Sequence, residues 1–224
     1  MISDQSSALY CPLCKAAENF TPVPGQDDRD YYHCANCELI FIPPAQYLPP
    51  DAEKARYEEH NNGIQYPGYV RFLMQAVTPS IPLLQPGNAG LDYGCGPSPT
   101  LSILVEREGF RCQNYDPFFR RKLPPGPHDF IFATECFEHF FAPHEELQTL
   151  GSLLKPGGLL IIMTLFWQQK TDFLNDYYFR DPAHCVFYHH KTIDFIASEY
   201  GYEIEHRSKK RIAILRKNME PEAG

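Results

Sequence analysis

Four of the eight cysteines fall in two matched pairs, Cys11-Pro-Leu-Cys14 and Cys34-Ala-Asn-Cys37, with nineteen residues between the pairs. Each C-x-x-C sets two thiolates on one tight turn, and two such turns complete the tetrahedron that Zn2+ takes in structural sites. A redox C-x-x-C would stand alone between a strand and a helix. Here the second pair is flanked by "YYHC" and "CELIFI". Cys11, Cys14, Cys34 and Cys37 are therefore the expected ligands of a structural zinc, with His33 a poorer candidate because it adjoins Cys34. So short a module lacks an adequate core, so the metal would supply folding energy. Cys95, Cys112, Cys136 and Cys185 are scattered and read as buried small hydrophobes.

A second cluster begins in "AGLDYGCGPSPT", Ala89–Thr100. An apolar run ends in Asp92, and Gly94 and Gly96 follow. Glycine lets the chain bend and lets backbone approach a ligand with no Cβ in the way. Ser98 is a natural N-cap and Pro99 a natural first residue for the helix that follows. Asp116 ends the next apolar stretch, where a carboxylate can accept hydrogen bonds from a ribose diol. A third cluster is "TECFEHF", Thr134–Phe140. Glu135, Glu138 and His139 stand at i, i+3 and i+4 and share a face if the segment is helical. His184, in "DPAHCVFYHH", adds a second imidazole. Glu135, Glu138, His139 and His184 could hold Mg2+ or Zn2+. Alternatively, His139 or His184 serves as a metal-free general base, or the set is purely structural.

These residues need a scaffold that brings them to one end. Residues 1–9 read as a tail and 10–42 as the cysteine module. "PPAQYLPP" is a stiff connector, and Asp51 caps a helix that breaks at Asn61–Gly68. Val70, Leu73, Met74 and Val77 give a second helix one apolar face. Strands and helices then alternate. Strands are expected at Leu91–Tyr93, Phe110–Asp116, Asp129–Thr134 and Gly157–Phe166. Helices are expected over 100–109, closed by Gly109, over 143–154 and over 191–201. Residues 202–216 read as a closing β-hairpin. Near-continuous apolar strands alternating with helices indicate an α/β fold with a doubly wound, mostly parallel sheet. The expected division is 1–42, a cysteine module; 43–80, a helical linker or cap; and 81–224, the ligand-binding domain.

Composition sets outer bounds. Hydrophobic residues make up 43% and charged residues 21%, as in ordinary globular proteins. The apolar stretch Leu159–Trp167 is far too short for a bilayer span, and no basic-then-apolar leader pattern opens the chain. A cytoplasmic location and no membrane partner are the expectation. The net charge of −8 argues against a protein whose main task is to coat a phosphate backbone. The basic run Arg207–Arg211 reads as a solvated hairpin tip.

Open α/β sheets bind ligands beyond the carboxyl ends of their strands, at the switch in strand order. A nicotinamide dinucleotide would want a third glycine and a pyrophosphate against the helix N-terminus. Here Pro99 occupies that glycine position, and an acid precedes the first glycine. S-adenosylmethionine has a ribose diol and an ammonium but no phosphate, and fits better.

On these residues the chain resembles the class I S-adenosylmethionine-dependent methyltransferases. "LDYGCGPSP", "YDP", "HDFIFATECFEHF" and "LLKPGGLLIIMT" look like their successive motifs, over roughly 89–165. The cysteine module resembles the zinc ribbon that precedes some bacterial members. The resemblance implies a Rossmann-like methyltransferase fold with a small N-terminal four-cysteine zinc ribbon. It implies that Asp92, Gly94 and Gly96 line the methionine end, that Asp116 holds the ribose, and that Ala133–Cys136, with Thr134 and Glu135, borders the sulfonium. Tyr57, His60 and Asn61 belong to a segment that closes over the cofactor in such enzymes. Pro117–His128 is too short for a clear third strand and helix, which points to a reduced sheet edge. The Glu-x-x-Glu-His run with a distant His resembles the metal site of ubiquinone-pathway O-methyltransferases and of small-RNA 3′-terminal 2′-O-methyltransferases.

No DPPY-like or NPPY-like run follows the fourth strand, and no Pro-Cys nucleophile occurs, which weakens nucleobase acceptors. The expected reaction is methyl transfer to a small or carrier-linked metabolite, at oxygen, with Glu138, His139, His184 and Tyr188 at the acceptor. The alternatives are an RNA methyltransferase that docks RNA through the ribbon, and a non-catalytic cofactor-binding protein. Tyr188 reads as a pocket wall; Tyr177, Tyr178, Phe179 and Phe187 read as core.

Overall fold

The structure, a computed structural model, describes residues 9–59, 62–174 and 176–219. The expected tail therefore lies outside the described residues apart from Leu9, as do His60 and Asn61. Strands β1 (Phe20–Val23), β2 (Tyr31–Cys34) and β3 (Ile40–Phe41) build the N-terminal module. Helices α1 (Pro50–Glu58) and α2 (Pro67–Ser80) lead to β4 (Ala89–Tyr93), α3 (Thr100–Arg107), β5 (Arg111–Tyr115) and β6 (His128–Thr134). Then come α4 (Pro143–Leu153), β7 (Leu154–Met163), β8 (Val186–Phe187), α5 (His190–Tyr200), β9 (Tyr202–Arg207) and β10 (Ile212–Lys217).

The large sheet runs β5-β4-β6-β7-β10-β9. Its first four strands are parallel, and β10 is antiparallel to both neighbours. Strand order reverses between β4 and β6, so the crevice expected of a doubly wound sheet opens there. The central strands are apolar on both faces because both faces are covered. Phe130 and Phe132 point to a core with Leu73, Val77 and Leu101 on the α2–α3 side. Ile131 and Ala133, alternating with them, point to a core with Leu147 and Ile193 on the α4–α5 side. β5 is an edge strand, and residues 116–127 contribute only a bridge between Asp116 and Arg120. The reduced edge follows from that short connection.

The N-terminal sheet runs β1-β2-β3-β8, so its fourth strand comes from far along the chain. Ile40 and Phe41 pair with Phe187 and Val186. Phe41 and Phe187 are fully buried in the same core as Ile131 and Ile193. Two cap expectations change. Pro99, at ψ 60°, is the N-cap of α3, and Thr100 N donates to Ser98 O, so the tight turn starts the helix one residue late for a Ser98 cap. α1 begins at Pro50, which places Asp51 inside its first turn. Among the described residues no helix is long and apolar enough to cross a membrane.

Candidate functional site

A cavity of about 850 Å3 opens at the carboxyl ends of β4 and β6. That volume is in the range of sites that enclose a whole small ligand. β4 delivers Asp92 to its floor, 1% exposed, with Oδ1 lacking a hydrogen-bond partner among the described residues. Burial, reinforced by the Asp116 charge, pushes the Asp92 carboxyl up to about 7. The bend after β4 is held by Gly94 N and Cys95 N, both donating to Tyr115 O at 2.9 and 3.0 Å. Gly94 has φ +82°, and a Cβ there would come within 2.7 Å of Cys136 Cβ, so no other residue fits. Gly96, also at positive φ, would point a Cβ into open space, leaving its backbone bare to a ligand.

Asp116 sits just beyond β5 and ties the cradle together. Its Oδ2 accepts from Gly96 N at 2.9 Å, and its Oδ1 accepts from Phe118 N and Phe119 N at 2.8 and 3.0 Å. Thr134 lines the same cavity from the end of β6. Tyr57 enters from α1: its hydroxyl donates to Glu53 at 2.5 Å, and its ring meets His139 edge-on at 5.0 Å. Tyr57, Asp92, Gly94, Gly96, Asp116, Thr134 and Glu135 thus reach one cavity, whereas Ala133 is buried and absent from its wall.

The set expected to hold a cation forms with three of its four members. Glu138, His139 and His184 each bring a donor atom within 4.8 Å of the others. Glu138 and His139 lie on a short 3-10 turn, Phe137–His139, and His184 on the loop before β8. His139 Nδ1 faces Ala183 O at 3.0 Å and His184 Nδ1 faces Tyr178 O at 2.7 Å. A carbonyl only accepts, so each Nδ1 carries hydrogen. Burial, with the neighbouring His139, holds the His184 ring down to about 3, so it is neutral at ordinary pH. Burial pushes the Glu138 carboxyl up to about 7, and its Oε2 has no partner among the described residues.

Glu135 does not join this group. It sits at φ +50°, so the i, i+3, i+4 helical register never forms, and its carboxylate pairs with Arg211 at 3.3 Å. Tyr188 is also corrected: it is fully buried, its hydroxyl donates to Phe137 O at 3.2 Å, and it is absent from the cavity wall. The parallel bridge from Phe166 to Tyr188 turns that ring into the core. Conversely, Tyr177 is 62% exposed and borders the cavity. Tyr178 borders it too, whereas Phe179 and Phe187 are core as expected. Sequence reasoning did not find Glu53, Arg56 or Asp181, which line the cavity as well. Arg56 bonds Asp181 at 2.8 Å; burial alone would raise the Asp181 carboxyl, but that partner holds it down to about 2. No local spacing signals a pair separated by so much chain.

At the opposite extreme of regularity, the four cysteine sulfurs lie within 4.8 Å of one another, with Cys11 to Cys37 at 3.5 Å and Cys14 to Cys34 at 3.6 Å. A tetrahedron of Zn–S bonds has sulfurs about 3.8 Å apart. The two turns repeat each other: Lys15 N donates to Cys11 O and Glu38 N to Cys34 O, with Lys15 and Glu38 both at φ near +60°. His33 is engaged instead with Glu38 at 2.8 Å.

A sequence-family profile described as a methyltransferase domain matches residues 65–207. This chain belongs to that family. The match spans every strand of the large sheet except β10, the glycine cradle and both loops that carry Glu138, His139 and His184. The chain is 33% identical over 76 residues to a "Ubiquinone biosynthesis O-methyltransferase" of Caulobacter vibrioides. That alignment covers 34% of this chain and 23% of the relative, so the chain spans under a quarter of that protein. Among solved structures, a chain of the Haloferax volcanii complex between the Trm112 methyltransferase activator and a methyltransferase superposes with TM-score 0.55 at 10% identity, covering 77% of this chain and all of that one. A SAM-dependent methyltransferase from Aquifex aeolicus gives TM-score 0.51 at 16% identity, covering 73% and 97%. At these identities the structural likenesses establish the fold. The chain is thus a member of the methyltransferase-domain family, with a fold shared with S-adenosylmethionine-dependent methyltransferases.

Proposed function

We propose that this methyltransferase moves the methyl group of S-adenosylmethionine to an oxygen of a small or carrier-linked metabolite, and that the N-terminal ribbon carries a structural zinc. The observation that carries the acceptor reading is the Glu138–His139–His184 group beside the glycine cradle in one cavity. A hydroxyl is a weak nucleophile until its proton leaves. A neutral His184, a His139 whose Nδ1–H is held by a carbonyl, and a buried carboxyl whose Oε2 has no partner among the described residues are suited to take that proton. The same three donors suit a divalent cation, which would lower the pKa of a bound hydroxyl. Their Nδ1–H bonds to carbonyls are the outer support that ligating histidines carry. At the other end Asp92 suits the cofactor ammonium, Asp116 the ribose diol, and Gly94 to Gly96 close backbone approach. The short alignment to an O-methyltransferase points to the same acceptor atom. Lys15, Arg29 and Lys191, cations around the ribbon, are each paired with an acid, which favours a metabolite over RNA.

The test is incubation of labelled S-adenosylmethionine with the protein and a fractionated lysate. Label is expected in the small-molecule or carrier fraction, and Glu138→Gln should slow its transfer about 10²- to 10⁴-fold while leaving cofactor affinity intact. Label in RNA would overturn the acceptor class. No label at all would leave a cofactor-binding protein. Elemental analysis separates the two uses of the cluster: metal beyond the ribbon zinc that disappears in Glu138→Ala marks the cation, and identical metal content in both proteins marks proton acceptance.

A further inference from the structure

The two imidazoles are oriented by carbonyl oxygens of a single loop, Tyr178 O for His184 and Ala183 O for His139. That loop lies between β7 and β8, and among the described residues its regular structure is a pair of short 3-10 turns, Lys170–Leu174 and Tyr177–Arg180. Its carbonyls are held instead by one side chain from the ribbon. Arg29, on the connection between β1 and β2, donates from Nη1 to Asp181 O at 3.1 Å and to His184 O at 2.8 Å. Its Nη2 donates to Phe179 O at 2.8 Å and reaches Asp27 at 2.8 Å, and its Nε donates to Asp27 at 2.9 Å. All five guanidinium N–H groups are thereby matched to acceptors. Its side chain is 13% exposed, so leaving any of those donors unmatched would be costly. Tyr31, at the start of β2, adds a hydroxyl bond to Phe179 O at 2.9 Å, and Ile42 N donates to Cys185 O at 3.0 Å.

We propose that Arg29 is a positioning residue for methyl transfer: through it, the four-thiolate ribbon fixes the loop whose carbonyls set the tautomers and directions of His139 and His184. The ribbon is then part of the active site's framework, not a module that docks an external partner. The proposal rests on the reading of these two imidazoles as the acceptor group. A lysine cannot replace Arg29, because a point ammonium with three donors cannot span three carbonyls and a carboxylate.

The experiment uses the full zinc-loaded chain with Arg29→Ala and Arg29→Lys. Ring-nitrogen 1H–15N spectra should show both imidazoles as Nδ1–H tautomers in the wild type. In either variant the His184 Nδ1–H signal is expected to broaden or vanish into a tautomer mixture, with ribbon zinc and S-adenosylmethionine affinity unchanged. Turnover should fall about 10- to 100-fold in kcat rather than KM, as for other outer-support residues. Guanidinium ion added to Arg29→Ala should restore part of it. If Arg29→Ala loses its zinc or its fold, Arg29→Lys carries the test. Unmoved ring signals overturn the proposal and leave the site reading intact. Moved ring signals with an unchanged rate overturn the site reading beneath it.

Discussion

The cysteine ribbon and the Glu138–His139–His184 cluster both gather donor atoms to within 4.8 Å, by opposite routes. The ribbon takes its four sulfurs from two copies of one tight turn, each closed by its own backbone hydrogen bond. The Glu138–His139–His184 cluster takes its three groups from two loops, one after β6 and one before β8, that meet because the rest of the fold brings them together. The first arrangement is closed, with each sulfur near another sulfur. The second leaves Glu138 Oε2 buried without a partner among the described residues. A buried polar atom left unmatched costs about 1–3 kcal/mol, and this one lies against the cavity at the carboxyl ends of β4 and β6. The two groups thus differ in geometry: one closed on itself, the other open to a cavity.

The largest expected effect breaks the closed site. Structural zinc contributes about 10–16 kcal/mol to the folding of small peptides that bind it. Cys34→Ala should therefore abolish ribbon zinc and lower the midpoint of thermal unfolding by about 10 °C or more. The damage should reach β8, because β3 pairs with it, and hydrogen exchange at Val186 and Phe187 should accelerate along with that of β2. Elemental analysis and a melting curve check the outcome. Retained zinc with normal melting would mean that the four sulfurs are merely packed.

The same contrast explains what the sequence made legible. The cysteine pairs, the Asp92–Gly94–Gly96 bend, Asp116 at its strand end and the closing hairpin are all written in neighbouring residues or in strand and helix periodicity. The short 116–127 segment likewise betrays the missing edge strand by length alone. What escaped depends on partners distant in sequence. Spacing groups Glu135 with Glu138 and His139, yet a positive φ and Arg211 take it elsewhere. Proximity to His184 in the sequence points Tyr188 at the pocket, but a single bridge to Phe166 turns it inward. Arg29 and the Arg56–Asp181 pair reach across more than a hundred residues, and no local pattern could announce them.

A second, smaller effect probes the open site. Asp116 is expected to hold the ribose diol while also bonding the cradle at Gly96 N. Asp116→Ala removes charge-assisted hydrogen bonds worth about 1.5–3 kcal/mol, so the dissociation constant for S-adenosylmethionine should rise about 10- to 150-fold. Calorimetry measures it directly. Undiminished affinity would leave the carboxylate as a brace for the bend alone, and the open site would then resemble the closed one.

The finest test uses the sign of a titration. Burial first, and the Asp116 charge second, raise the Asp92 carboxyl to about 7. A raised acid contributes stability that is fully present below its ordinary range and is lost as pH rises through the folded value. The cofactor-free protein should therefore lose stability relative to Asp92→Asn, whose amide does not ionise, between about pH 4 and pH 7, with a plateau above. An ammonium arriving beside Asp92 favours the ionised form, so the effect on binding has the opposite sign. Affinity for S-adenosylmethionine should climb with pH up to about 7 and then level, with a proton released on binding at about pH 6. Calorimetry in two buffers of different ionisation enthalpy reads that proton, and Asp92→Asn should erase it. The closed site offers a control within the same molecule: with its thiolates committed to the proposed zinc, cofactor binding should draw no proton from it. A binding isotherm indifferent to buffer would mean that the unpartnered Asp92 oxygen is not where the cofactor's positive charge lands.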